Sequence, residues 1–138
     1  FCMVKAAEIM VENKTKGVII NIGSSSALQV KKGRLHYTVT KSSLHTLSRV
    51  AAMDLAKHQI RVNVVSPGPT ATEIVQKRMQ DAEQRAQEEA RLKKIPLGRY
   101  ASTVDIANAV VFLSSSMGEF ITGAILPVDG GYTIGETV

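Results

Sequence analysis

Residues 17–41, GVIINIGSSSALQVKKGRLHYTVTK, pass from an apolar run through a serine-rich turn into the start of a helical pattern. Val18 to Ile22 is apolar apart from Asn21 and ends at once in Gly23 and three serines. A run without polar/apolar alternation predicts a strand buried on both faces, the pattern of a parallel sheet rather than a half-exposed antiparallel one. Val62 to Val65, interrupted by Asn63, and Ala124 to Val128 read the same way. Between these runs Leu44, Leu47, Ala51 and Leu55 form one helical stripe, and Ile106, Ala109, Val110 and Leu113 form another. Ser102 or Thr103, followed by Asp105, supplies an N-cap and a favourable first-turn charge for the second. The order helix, strand, helix, strand, helices, strand predicts an α/β fold of three parallel strands with crossover helices.

Composition bounds what such a chain does. Its 138 residues suit one domain, and 44% hydrophobic with 21% charged residues fits neither a disordered tail nor a membrane protein. No apolar run approaches the ~18 residues of a membrane span. Cys2 is the single cysteine, which excludes an internal disulfide or a thiolate zinc site and points to a reducing compartment. On a helix face it reads as a small buried or interface hydrophobe. The net charge of +5 raises the question of anionic partners, but the basic residues are scattered along the sequence and only six aromatics offer stacking platforms. Nucleic acid is therefore not the expected partner, whereas a phosphate-bearing cofactor fits the bias. Residues 73–94 carry only the thin stripe Val75, Met79, Ala82, Ala86 and Ala90, which reads either as a solvated surface helix or as a mobile lid.

Tyr37 and Lys41 stand one helical turn apart, which places their Cβ atoms roughly 5 to 6 Å from each other. A free tyrosine titrates near 10, and bringing a phenol into the neutral range takes roughly 4 kcal/mol. A lysine charge about 4 Å away at an effective dielectric of about 20 supplies on the order of 4 kcal/mol, so the pair is of the right size for an activated tyrosine. Ser24 follows the first strand, where a hydroxyl either makes a polar turn or meets ligands at the carboxyl edge of a parallel sheet. After the second strand, Ser66-Pro67-Gly68-Pro69-Thr70-Ala71-Thr72 makes a rigid turn that offers the hydroxyls of Thr70 and Thr72. His36, His45 and His58 lack metal-ligand spacing and read as structural or surface residues, with His36 adjoining Tyr37.

In combination, Ile22-Gly23-Ser24, Tyr37-Thr38-Val39-Thr40-Lys41, Arg61 to Gly68, Ile121-Thr122-Gly123 and Val128-Asp129-Gly130-Gly131 resemble the short-chain dehydrogenase/reductase family. The resemblance implies a Rossmann-type doubly wound parallel sheet of which residues 1–138 are the C-terminal catalytic half. It implies that Ser24 bonds the substrate oxygen, that Tyr37 transfers the proton, and that Lys41 assists Tyr37 and holds the nicotinamide ribose. Pro67, Gly68, Thr70 and Thr72 match the loop that holds the nicotinamide end and phosphates of NAD or NADP. The expected partners are a small-molecule carbonyl or alcohol and further copies of the chain, as a dimer or tetramer through the helices Phe1 to Glu12 and Ser42 to Lys57. A cytoplasmic oxidoreductase follows, with its substrate pocket shaped at Gln29, Val30 and residues 73–94. The family's glycine-rich turn, ribose selector and catalytic asparagine would all precede Phe1, so a truncation is expected. The alternative is an inactive fragment whose strand Val18 to Ile22 becomes an exposed edge and which serves only as an oligomerisation or interaction element.

Overall fold

The computed structural model describes residues 2–135. Phe1, where the sequence places the start of the first helix, lies outside them. Helix α1 (Cys2–Glu12) leads into strand β1 (Gly17–Ile22), and a short 3-10 turn over Ser25–Ala27 precedes α2 (Leu35–Leu55). Strand β2 (Ile60–Pro67), helices α3 (Glu73–Gln80), α4 (Ala82–Leu92) and α5 (Thr103–Ser114), and strand β3 (Ile125–Val128) follow. The strands are parallel in the order β1-β2-β3, with Ile22 opposite Val65 and Pro67 opposite Val128. The expected α/β architecture with three parallel strands is therefore present, each strand within two residues of its sequence-read limits.

Alternation along the strands sends side chains to two helical layers. Asn21 Nδ2 donates to Ser48 Oγ of α2 at 2.9 Å, and Val64 approaches α2 beside Gly23. On the opposite face Arg61 Nη1 donates to the Leu113 carbonyl at the end of α5 at 2.8 Å. Helices thus cover both faces, with the core centred on Ile60, Val62, Val64, Val65 and Leu113. Asn63 is 0% exposed yet fully used: Nδ2 donates to Ile121 O at 2.8 Å and Oδ1 accepts Ala124 N at 3.0 Å. Together with Thr122 Oγ1, which accepts Val62 N at 3.1 Å, it fixes the turn that feeds β3.

Four sequence expectations need correction. Among the described residues only β2 is buried along both faces; β1, equally apolar, is half-buried with Ile22 exposed, because within these residues it pairs on one side alone. The inward face of α2 carries His45, Ser48 and Ala52, while Leu47 of the expected stripe is 50% exposed. Residues 73–94 are two helices rather than one, broken at Asp81, whose carboxylate caps α4 by accepting Gln84 N at 2.9 Å. Cys2 is exposed, so of its two readings, buried or interface hydrophobe, the buried one does not hold. The second stripe is as read: Ser102 N-caps α5 in a reciprocal capping box with Asp105, and Leu113 lies in the core. Among the described residues no helix is long and apolar enough to cross a membrane.

Candidate functional site

Parallel strands end on the same edge of the sheet, and a crossover helix that returns the chain must start there. Ser24, the loop after Pro67 and the first turn of α2 consequently share the carboxyl edge. Ser24 is buried, in extended conformation, and N-caps the Ser25–Ala27 turn, its Oγ accepting Ser26 N at 3.2 Å. A hydroxyl that accepts one bond keeps its hydrogen to donate. The turn packs on α2.

Tyr37 lies in the first turn of α2 and is half-exposed. Lys41 sits one turn further along, and its Nζ is 6.0 Å from the centroid of the Tyr37 ring. That ammonium donates to the Ile22 carbonyl at 2.9 Å, two residues before Ser24. Lys41 therefore ties the end of β1 to the helix that carries Tyr37. It retains two further donors for a ligand.

The loop from Pro67 to Thr72 is fixed from both sides. Gly68 N donates to Val128 O at 3.0 Å, and a Cβ on Gly68 would stand 2.5 Å from Asp129 Cβ, so only glycine fits this approach. Asp129 in turn accepts Gly131 N at 2.9 Å, Thr133 N at 3.1 Å and Thr133 Oγ1 at 2.6 Å, which locks the Asp-Gly-Gly segment against the loop. Thr70 Oγ1 donates to Gly68 O at 3.1 Å, and Thr70 pairs with Ala101 in an isolated parallel bridge. Thr72 is the N-cap of α3, but its exposed side chain makes no capping bond.

His45 was legible only as a structural histidine, although its spacing continues the Tyr37–Lys41 row by another four residues. It is 5% exposed, and a Cβ on Gly23 would stand 2.4 Å from its Nε2. Burial, and then the nearby Lys41 charge, hold its imidazole below the ordinary value. The ring is thus a neutral wedge behind the Gly23–Ser24 corner. His36 and His58 are exposed. Among the described residues no group of three or more His, Cys, Asp or Glu could hold a metal ion.

Residues 1–133 match the protein family described as Enoyl-(Acyl carrier protein) reductase. An L-rhamnose 1-dehydrogenase (NAD(P)(+)) of Sphingomonas sp. (strain SKA58) is 43% identical over 131 residues, 95% of this chain and 50% of that protein. The solved structure of a 4-hydroxyisoleucine dehydrogenase complexed with NADH superposes with a TM-score of 0.88 at 31% identity, covering 98% of this chain and 54% of that one. ElxO with NADP bound gives a TM-score of 0.88 at 32% identity, over 97% and 53% of the two chains. The chain spans about half the length of the relatives it matches.

Proposed function

The chain belongs to the short-chain dehydrogenase/reductase family, and we propose that it carries the proton-transfer residues of an oxidoreductase that interconverts a carbonyl and a secondary alcohol with NAD or NADP. In the reducing direction the Tyr37 hydroxyl gives its proton to the carbonyl oxygen, and in the oxidising direction it takes the alcohol proton back. The Ser24 hydroxyl donates to the same oxygen and stabilises the charge that develops on it. Lys41 supplies a positive charge beside the phenol and directs its free N–H groups to the nicotinamide ribose. Pro67, Gly68, Thr70 and Thr72 receive the nicotinamide end and phosphates; the Thr72 hydroxyl and the first-turn N–H groups of α3 are donors suited to an anion. When bound, the nicotinamide supplies or accepts the hydride at the carbonyl carbon.

The observation that carries this reading is the Lys41 side chain, bonded to Ile22 O while standing over the Tyr37 ring. In the protein with its full cofactor site, Tyr37→Phe should lower NAD(P)-dependent turnover by about 10²–10⁴-fold while NADH fluorescence still reports binding. Retained turnover would sink the assignment.

The small-molecule partner is accompanied in this proposal by other copies of the chain. An apolar groove of about 390 Å³ between α1 and α2, lined by Met3, Val4, Ala7, Val11, Ala51 and Leu55, suits a dimer or tetramer contact through these helices. A second reading, an assembly element without turnover, is favoured by β1, which among the described residues pairs on one side only. Titrating NADH into the isolated chain separates the two, since micromolar binding contradicts the inactive reading.

A further inference from the structure

Cations scattered in the sequence converge in space. Lys31, Lys32 and Arg34, from the loop joining the Ser25–Ala27 turn to α2, face Arg78 of α3 and Arg91 of α4 across a cleft of about 540 Å³. Among the described lining residues Glu88 is the sole acid. It is 5% exposed, accepts Arg78 Nη1 at 3.2 Å and Tyr100 OH at 2.7 Å, and pairs with Arg91 at 3.7 Å. Tyr132, equally buried, bonds Lys31 through its hydroxyl and lies under the Lys31 ammonium, 4.0 Å from the ring centroid. Burial alone would push the Tyr132 phenol up, but the bonds from Lys31 and Arg91 outweigh it and hold the phenol below its ordinary value.

Six cations line the cleft, Lys94 among them, and buried anchors hold Lys31, Arg78 and Arg91 in place, which separates it from a surface of freely rotating lysines. Among the described lining residues the cations therefore outnumber the single carboxylate. Like charges gathered in a concave, partly desolvated space repel one another, and an anion entering it relieves that repulsion. The volume lies in the range of small-molecule pockets. The lysine-rich wall begins seven residues after Ser24 and ends at Arg34, three residues before Tyr37. None of the loop residues 67–72, assigned above to the cofactor, lines the cleft.

We propose that this cleft binds the anionic end of the substrate, a small carbonyl or alcohol compound that carries a carboxylate or a phosphate group. Calling the bound compound a substrate rests on the oxidoreductase reading; the anion site does not. Calorimetric titration of inorganic phosphate and of succinate into the protein at low ionic strength tests the site directly. Saturable binding of at least one is expected, phosphate or succinate prevailing according to which group the cleft suits, and it should not compete with NADPH. Lys32→Glu, at an exposed position that leaves the buried anchors intact, should weaken it about fivefold or more. The full protein should also use a keto acid with a kcat/KM about tenfold above that of its methyl ester, a preference that shrinks in Lys32→Glu. No saturable anion binding, binding unaffected by Lys32→Glu, or competition with NADPH overturns the proposal. If instead Tyr37→Phe retains turnover, the oxidoreductase reading fails while the anion titration still stands or falls by itself.

Discussion

The two ends of β2 treat buried polarity in opposite ways. Near its start Arg61 bonds both Leu113 O and Ile121 O, and Asn63 uses its amide in both directions. Near its end Ser66 Oγ is buried without a hydrogen-bond partner among the described residues, and so are His45 Nε2 and Thr38 Oγ1 on the neighbouring α2. Each such orphan costs about 1–3 kcal/mol. The first end is built for stability: its polar residues replace the main-chain partners that the irregular segment before β3 lacks. The second end surrounds the candidate proton-transfer residues, and polar groups left unpaired in a core persist where something besides stability selects them.

Asn63→Ala breaks this contrast most severely. It strips Ile121 O and Ala124 N of their partners in a fully buried setting, and a loss of about 3 kcal/mol is expected from urea denaturation. A loss below about 1 kcal/mol would show that the asparagine is not the staple described. Next in size is Gly23→Ala. The new Cβ would stand 2.4 Å from His45 Nε2 and 2.7 Å from Val64 Cγ1, so overpacking should cost about 2 kcal/mol. Combining it with His45→Ala should cost less than the sum of the two single changes, because the smaller side chain opens the space the methyl needs. Strict additivity would place the strain elsewhere.

Much of this contrast could be foreseen from the sequence, but not its sides. The three apolar runs gave the strands, and parallel order alone brought Ser24, Tyr37 and the Pro67–Thr72 loop to one edge. What escaped was anything that depends on neighbours. GVIINI and IRVNVVSP are similarly apolar, yet among the described residues only the second has a strand on each side. The stripe Leu44, Leu47, Ala51 and Leu55 suggested the wrong inner face for α2, because the sheet is contacted through small and polar residues, His45, Ser48 and Ala52, that allow close approach. The convergence of Lys31, Lys32 and Arg34 on Arg78 and Arg91 joins stretches more than forty residues apart, which no linear reading of charge reveals.

The smallest expected effect probes the unsatisfied end through pH. His45 is held neutral in the fold by burial, assisted by Lys41, so its folded pKa lies below the ordinary 6.5. The unfolded chain therefore takes up a proton before the folded one as pH falls. Stability linked to His45 is fully present above pH about 6.5 and is lost as pH drops through the folded value. His45→Leu removes the titrating group and the unpaired Nε2 together, and at pH 8 it should alter stability by less than about 1 kcal/mol. Urea midpoints measured from pH 8 to pH 5 should then fall more steeply for the wild-type protein than for the variant. Carboxylates that titrate in the same range act on both proteins alike, so the difference between the two curves isolates the imidazole. Parallel curves would mean that the ring is charged or hydrated in the fold, and that the corner behind Ser24 is wetter than its burial indicates.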